Sequence, residues 1–366
     1  MALVISGGAS LRGVSLTSPN RPPLPAVIAF NAANLTTSRT NAQLGGRTDW
    51  SGSANANYSV SITTSFSGGT TSPSGAYIGG TVNLVATGLP FHSYYNSTAA
   101  TIPVPSNFNR SWTYRGGTNV AGSQAAIGTG NIGVWINGTA IRSPSAQSNV
   151  PSGKSTFAGW TYIAAYRQGL KAGHNFKQDL AGGDTLTTST YTFRDSTPVL
   201  TNNAWETGIG YVSGTYGATG LPEVNCIPYL GGALTHPDGH SKILGIAADG
   251  YPIYGPSGYA NPNSRTSGTK LMVSGFGYDP FITFNGVRAF SGSPPPVNSQ
   301  YPLGTFMQDW VFAGGGDLDI RNGRYCLTPD YPNGTYAYFI TVDSTQTPVY
   351  PYIIGPTYYG TPANIG

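Results

Sequence analysis

Residues 244–256 read LGIAADGYPIYGP, and the reading of this stretch decides the fold class. An apolar run (Ile243, Leu244, Ile246, Ala247) meets an Asp249-Gly250 turn, and an aromatic-proline run from Tyr251 to Pro256 follows at once. Asp-Gly ahead of β-favouring residues is a tight-turn signal, because glycine accepts the positive φ that such turns demand. The stretch therefore predicts a buried strand, a turn and a rigid second strand.

The same grammar extends outward. YSVSITTSF (58–66), TVNLVATGLPF (81–91), IGVWINGTAI (132–141) and TYAYFITVD (335–343) alternate apolar with Ser, Thr or Asn positions, the period-2 pattern of half-buried strands. In the third of these, Asn137-Gly138 predicts a type I′ hairpin turn. Helix is expected at one place only, WTYIAAYRQGL (160–170), where Trp160, Ala164 and Ala165 share a face and Gly169 supplies a stop. No fixed-period repeat is present, which argues against a propeller or solenoid. The expected class is all-β: an extended N-terminal arm followed by a large β-sandwich-like domain with long loops.

Composition narrows the function. Charged residues make up 9% of the 366, against about 25% in an average soluble protein. Gly (51), Pro (28) and Tyr (24) take their place, so hydroxyls and amides must solvate the surface. The net charge of +4 is scattered, with no basic cluster of the kind nucleic-acid binding needs. No segment approaches the ~20 apolar residues of a membrane span. The first residues, MALVISGGASLRG, lack the basic head and long apolar run of a signal peptide. Cys226 and Cys326 form neither a disulfide framework nor a zinc set. They read as two buried thiols or as one pair. The aromatics, Trp112, Tyr114, Trp135 and Trp160 among them, read as core, a minority of them as a sugar-stacking platform.

Residues 1–55 differ from the rest. A proline elbow (Pro19, Pro22, Pro23, Pro25) leads into the apolar run Ala26–Phe30 and then a polar tail. Such a segment cannot build a core of its own. It reads as a docking arm or as a loose tail; the arm is preferred, because Ala26–Phe30 left free would be a sticky patch. Residues 56–366 form the β domain.

Several blocks, in order, resemble the YHYH-domain family. They are IGVWINGTAIRSPSA (132–146), GHNFKQDLAGGD (173–184), TYTFRDST (190–197), HSKILGIAADGYPIYGPSGY (240–259), GDLDIRNGRYCLTPDYPNGTYAYFITVD (316–343) and PVYPYIIGPTYYG (348–360). The positions carrying the likeness most sharply are Asp249, Gly250, Tyr251, Pro252, Ile253, Tyr254 and Gly255. The version with NGTYAYFITVD and YPYIIG is most similar to those encoded by tailed phages, cyanobacterial ones especially. That resemblance implies a virion structural protein, tail-associated, made in the host cytoplasm and partnered by other virion proteins.

At the family's diagnostic tetrad this chain departs from it. Tyr191-Thr192-Phe193-Arg194 stands where Tyr-His-Tyr-His is carried, and Asp184 stands where another histidine follows Gly-Gly. Histidine ligates metals and shuttles protons near neutral pH; Thr and Arg do neither in that way. The replacement implies a site converted to structure.

Two other places could carry chemistry. His236, Asp238 and His240 in THPDGHSK have a spacing that suits a divalent metal or, equally, a surface turn with a histidine on either side. Asp317 and Asp319 with Asn322, after a glycine run, suit a calcium-like oxygen site or a turn capped by carboxylates. No cofactor is expected beyond that calcium candidate. Nothing marks a nucleophile elbow or a paired-carboxylate site. The chain thus reads as a non-enzymatic virion component that assembles through its arm into a homo-oligomer, in the tail, baseplate or fibre. Alternatives are a capsid-decorating protein, an adhesin for host-surface glycan and an extracellular filament subunit.

Overall fold

The computed structural model describes residues 37–39, 58–66, 80–88, 109–114, 125–136, 138–146, 155, 157–163, 183–184, 192–193, 235–288, 294–332, 334–344 and 348–365. Strands dominate them, with one short helix, and the class is all-β.

The first sheet is antiparallel: β1 (Thr37–Arg39), β2 (Tyr58–Phe66), β3 (Gly80–Ala86) and β4 (Arg110–Tyr114), hydrogen-bonded in that order. Along β3 the pattern is the expected alternation, with Val82, Leu84 and Ala86 buried and Val85 exposed. β1 falls within the stretch read as the arm and pairs with β2, Thr37 opposite Val60. The rest of residues 1–55, Ala26–Phe30 included, lies outside the described residues.

The second sheet holds the motif. Its strands are β5 (Asn131–Trp135), β6 (Ala140–Arg142), β9 (Gly183–Asp184), β10 (Thr192–Phe193), β11 (Ile243–Ala247), β12 (Pro252–Tyr254), β17 (Gly323–Cys326) and β18 (Thr335–Phe339). They run β17-β18-β12-β11-β5-β6-β10-β9, with β12–β18 and β6–β10 parallel and the other pairs antiparallel. β11, β12 and β18 are buried along their whole length, as befits strands covered on both faces. One contiguous core joins the two sheets: Ile62, Val82 and Leu84 of the first belong to the same cluster as Val134, Ile246, Ile253 and Phe339 of the second. Trp135 is wholly buried in that cluster, and Trp160 is buried in a smaller one. Two-stranded pairs complete the fold: β7 (Ser145–Ala146) with β8 (Tyr162–Ile163), β13 (Ser257–Tyr259) with β14 (Thr269–Leu271), and β15 (Phe276–Tyr278) with β16 (Trp310–Phe312).

The hairpins differ in one respect from expectation. A type I′ turn on Asn137-Gly138 would hold two residues between its strands. The loop instead holds three: Gly138 N–H donates to Trp135 O over 2.9 Å, and Trp135 N–H donates to Thr139 O over 2.9 Å. Gly138, at φ 83°, takes the left-handed position that closes such a loop. The motif turn is built alike, with Gly250 (φ 87°) donating to Ala247 O over 2.8 Å and Ala247 donating to Tyr251 O over 2.9 Å.

The helix forms elsewhere than expected. Tyr162–Ile163, inside the expected 160–170 helix, is strand β8 paired with Ser145–Ala146; residues 164–170 lie outside the described residues. An aromatic and a β-branched residue side by side favour the pleated surface. The α-helix the structure shows, α1, is Pro280–Asn285. Asp279 caps it by accepting from Phe281 N–H over 2.8 Å, proline opens the first turn, and Gly286 closes it in the left-handed conformation.

Beside this helix lies the smaller aromatic cluster, Phe157, Trp160, Tyr162, Tyr301 and Phe306, around a wholly buried ion pair. Arg288 Nε and Nη2 donate to the two oxygens of Asp309 over 2.6 and 2.8 Å, and Nη1 and Nη2 reach the carbonyls of Pro296, Tyr301 and Pro302. The guanidinium also stands 5.0 Å from the Phe306 ring centre.

Candidate functional site

The histidine turn leads directly into β11. His236-Pro237-Asp238-Gly239-His240 is a third loop of the three-residue kind: Gly239 (φ 87°) donates to His236 O over 2.9 Å, and His236 N–H donates to His240 O over 2.7 Å. Asp238 fastens it. Its Oδ1 accepts from His240 N–H over 3.1 Å and its Oδ2 from the Tyr259 hydroxyl.

His240 is fully buried against the rings of Tyr254, Tyr259 and Phe339. Its Nδ1 lies 2.7 Å from Ser241 O, which fixes the proton on Nδ1 and leaves Nε2 as a bare lone pair with no partner. Burial pulls the imidazole down to about 4, against the pull of the nearby Asp330 and Asp238 charges, so the ring is neutral at pH 7.

His236 meets a different partner. Its Nε2 lies 3.3 Å from Asp330 Oδ2, within ion-pair reach but out of line for a hydrogen bond. The same Asp330 oxygen accepts from the Tyr254 hydroxyl over 3.0 Å, and that hydroxyl is also 2.8 Å from Thr328 Oγ1. The turn is thus tied to the loop after β17. The arrangement sets a neutral imidazole, two carboxylates and two phenols at the mouth of β11. Both oxygens of Asp238 are engaged by the protein, and His240 Nε2 is ringed by aromatics. Among the described residues, no three His, Cys, Asp or Glu side chains are grouped to hold a metal ion.

The residues of the second candidate are held by separate partners. Asp317 Oδ1 pairs with Lys270 Nζ at 2.7 Å, and its Oδ2 accepts from Val273 N–H over 3.0 Å. Asp319 Oδ1 accepts from Arg321 N–H over 2.8 Å and from the Tyr336 hydroxyl over 2.9 Å. Asn322, in the left-handed conformation at φ 61°, is buried and donates to Phe339 O and Ile353 O over 2.8 and 3.2 Å. These contacts fasten the β17 turn and the C-terminal segment to β18.

The altered tetrad is strand-bound. Thr192 and Phe193 form β10, parallel to β6 and antiparallel to β9, which puts Thr192 in direct register with Asp184. Two positions where the family carries histidine are therefore cross-strand neighbours in this fold. Tyr191 and Arg194 lie outside the described residues.

The motif residues themselves build core. Asp249 is wholly buried and burial raises its carboxyl above the ordinary range; Oδ2 accepts from the Tyr338 hydroxyl over 2.6 Å and Gly360 N–H over 2.9 Å. Tyr251 packs edge-on against Tyr336 and Tyr359, and Tyr254 stacks on Phe339. Between the two tyrosines, Ile253 is wholly buried in register with Tyr338. A Cβ on Gly255 would come within 2.8 Å of Ser241 Oγ, which accepts from Ser257 N–H.

Sequence reading missed Asp330, Thr328 and the Arg288–Asp309 pair. Their partners are remote in the chain, and TPDYPNG carries no sign beyond that of an ordinary turn. Cys326 is a buried free thiol, raised by burial to about 11; Cys226 lies outside the described residues.

These features define an all-β protein whose larger sheet holds the β11–β12 hairpin among its interior strands. The family model for YHYH proteins matches residues 113–351, and the chain belongs to that family. No curated protein matches it. No solved structure matches it either. No helix among the described residues is long and apolar enough to cross a membrane.

Proposed function

We propose that this YHYH protein is a non-enzymatic structural component of a tailed-phage virion, tail-associated, that assembles through its N-terminal arm. The observation that carries the reading is the fate of the tetrad. Thr192 stands in β10 opposite Asp184 in β9, at positions where imidazoles could have run metal or proton chemistry. Among the described residues, the carboxylates named above are engaged elsewhere. Asp238 and Asp319 accept hydrogen bonds that fasten their own turns, and Asp249 and Asp317 accept from Gly360 and Val273, remote in the chain. His240 keeps a neutral ring among aromatics. Such a domain supplies shape and rigidity.

A chain with only 9% charged residues suits that work, since few contacts are there for salt to screen. Peptide mass spectrometry of gradient-purified virions, with gold-labelled antibody against the chain, tests the proposal. Stoichiometric peptides and label confined to the tail are expected. Label spread over the head would make it a capsid decoration, and absence from particles would overturn the virion reading. Turnover abolished by changing Thr192 would overturn the non-enzymatic one.

A further inference from the structure

Seven large hydrophobic side chains are exposed among the described residues, and six of them (Val273, Tyr278, Phe281, Phe284, Val287, Phe312) fall within residues 273–312. Four belong to one short stretch, the end of β15, helix α1 and the residue after its cap. Phe284 is 90% exposed, Val287 54%, Phe281 49% and Tyr278 42%. Ile282 of the same helix is wholly buried, so α1 is apolar on its inner face and again on its outer one. A surface helix ordinarily turns polar residues outward. Phe281 and Phe284, three apart, project from the same side.

The stretch is held firmly. Asp279 and Gly286 cap the helix, and the Tyr278 ring lies 4.3 Å from that of Trp310, itself stacked on Tyr350. Across residues 271–287 the only charge is Asp279, which is buried and engaged as the cap. A partner for this face must therefore be apolar and uncharged.

We propose that the Tyr278–Val287 face receives the run Ala26–Phe30 from the N-terminal arm of a second copy of this chain. The inference rests on the arm-mediated assembly put forward above and names its receptor. The run has the matching chemistry: five apolar residues, with no charge between Arg21 and Arg39. The run is tethered to the first described strand, Thr37–Arg39, by residues 31–36, and six extended residues span roughly 20 Å. The occupant is specific in sequence, and the contact is insensitive to salt.

The test uses the full chain. Light scattering after size exclusion is expected to show an oligomer for the wild type. At least a tenfold loss of association is expected for both Ile28→Asp and the double variant Phe281→Ser/Phe284→Ser, with unchanged thermal melting, the serine sites being exposed. Two differently tagged chains, one carrying Ile28→Cys and the other Phe284→Cys, both with Cys226→Ser, should then form a disulfide-linked heterodimer on mixing.

An oligomer broken by Ile28→Asp, untouched by the serine variant and without that cross-link would overturn the receptor while leaving arm-mediated assembly standing. A wild-type monomer at every concentration would overturn both. So would a monomer whose Phe284-dependent binding is to immobilised glycan or to uncharged phospholipid vesicles.

Discussion

The Tyr338 hydroxyl donates to Asp249 Oδ2 over 2.6 Å and at the same time accepts from Tyr359 N–H over 2.8 Å. One phenol thus joins the motif turn, the middle of β18 and the C-terminal segment, three places separated by as many as 110 residues of sequence (359 − 249). Asp249 strengthens the junction by also accepting from Gly360 N–H. The Tyr338 hydroxyl and Asp249 are buried, so removing the bond between them leaves a polar atom without water. Tyr338→Phe should cost about 1–3 kcal/mol, read from the urea midpoint at unchanged slope. Asp249→Asn, which keeps an acceptor oxygen, should cost less than Asp249→Ala. Equal losses for the two would show that the acceptor is immaterial.

Arg288 and Asp309 form the other buried polar device, and here charge is at stake. The guanidinium is bidentate on the carboxylate and its remaining donors meet backbone carbonyls, so its charge is matched at a fully buried site. Asp309 also accepts from Gly304 and Phe306 N–H groups, which shapes the loop before β16. Arg288→Met strands the Asp309 charge and should destabilise the protein by about 3–5 kcal/mol. Adding Asp309→Leu should restore part of that stability. A double variant no better than the single one would mean that the loop geometry, and not the stranded charge, sets the loss.

The β11–β12 hairpin was legible because two apolar runs flank Asp249-Gly250, and the same signal stands at Asn137-Gly138 and Asp238-Gly239. Loop length was not legible. A two-residue and a three-residue loop both end in Asn-Gly or Asp-Gly; the choice lies in whether Ile136 or Ala248 joins the ladder, and both are apolar and buried either way. Helix α1 carried its signs openly, with Asp279, Pro280 and Gly286 in capping order, but PFITFN between them reads as strand. Conversely, the spacing of Trp160, Ala164 and Ala165 suggested a helix face, while Tyr162 and Ile163 run in register with Ala146 and Ser145 on one side and Ile163 N–H donates to Thr305 O on the other. At the candidate site the histidines were visible and Asp330 was not, because its contact with His236 spans 94 residues (330 − 236) and depends wholly on tertiary structure.

Gly245 has no room for a side chain. It lies in β11 opposite Trp135 in β5, where a Cβ would come within 2.8 Å of the indole ring and of Val134 O. The indole is wholly buried, so neither side has room to yield. Gly245→Ala should cost about 1–3 kcal/mol through overpacking, although alanine is otherwise harmless in a strand. Coupling with Trp135→Leu, measured as a double-mutant cycle in urea, should recover the part of the loss that comes from the indole and leave the part that comes from Val134 O. Independent, additive losses would place the strain elsewhere.

Acid should weaken the fold through His240. The imidazole is drawn down to about 4 in the folded protein, against an ordinary value of 6.5. A base whose folded value is depressed binds fewer protons folded than unfolded between those limits, so stability is complete above pH 6.5 and falls as pH drops toward 4. The difference corresponds to about 3 kcal/mol at the acid end. Asp249 acts in the opposite sense. Burial raises its carboxyl, so acidification relieves a cost there and offsets part of the loss. The groups around His240 are His236, Asp238 and Asp330; the two carboxylates oppose the burial effect and the second imidazole assists it. Urea titrations at pH 7.0, 5.5 and about 4.5 should therefore show a progressive fall for the wild type. In His240→Gln, whose side chain does not titrate, the fall should be markedly shallower, while stability at neutral pH drops for loss of ring packing. Parallel slopes in the two proteins would mean that His240 titrates as an ordinary imidazole and that its burial among Tyr254, Tyr259 and Phe339 carries no acid sensitivity.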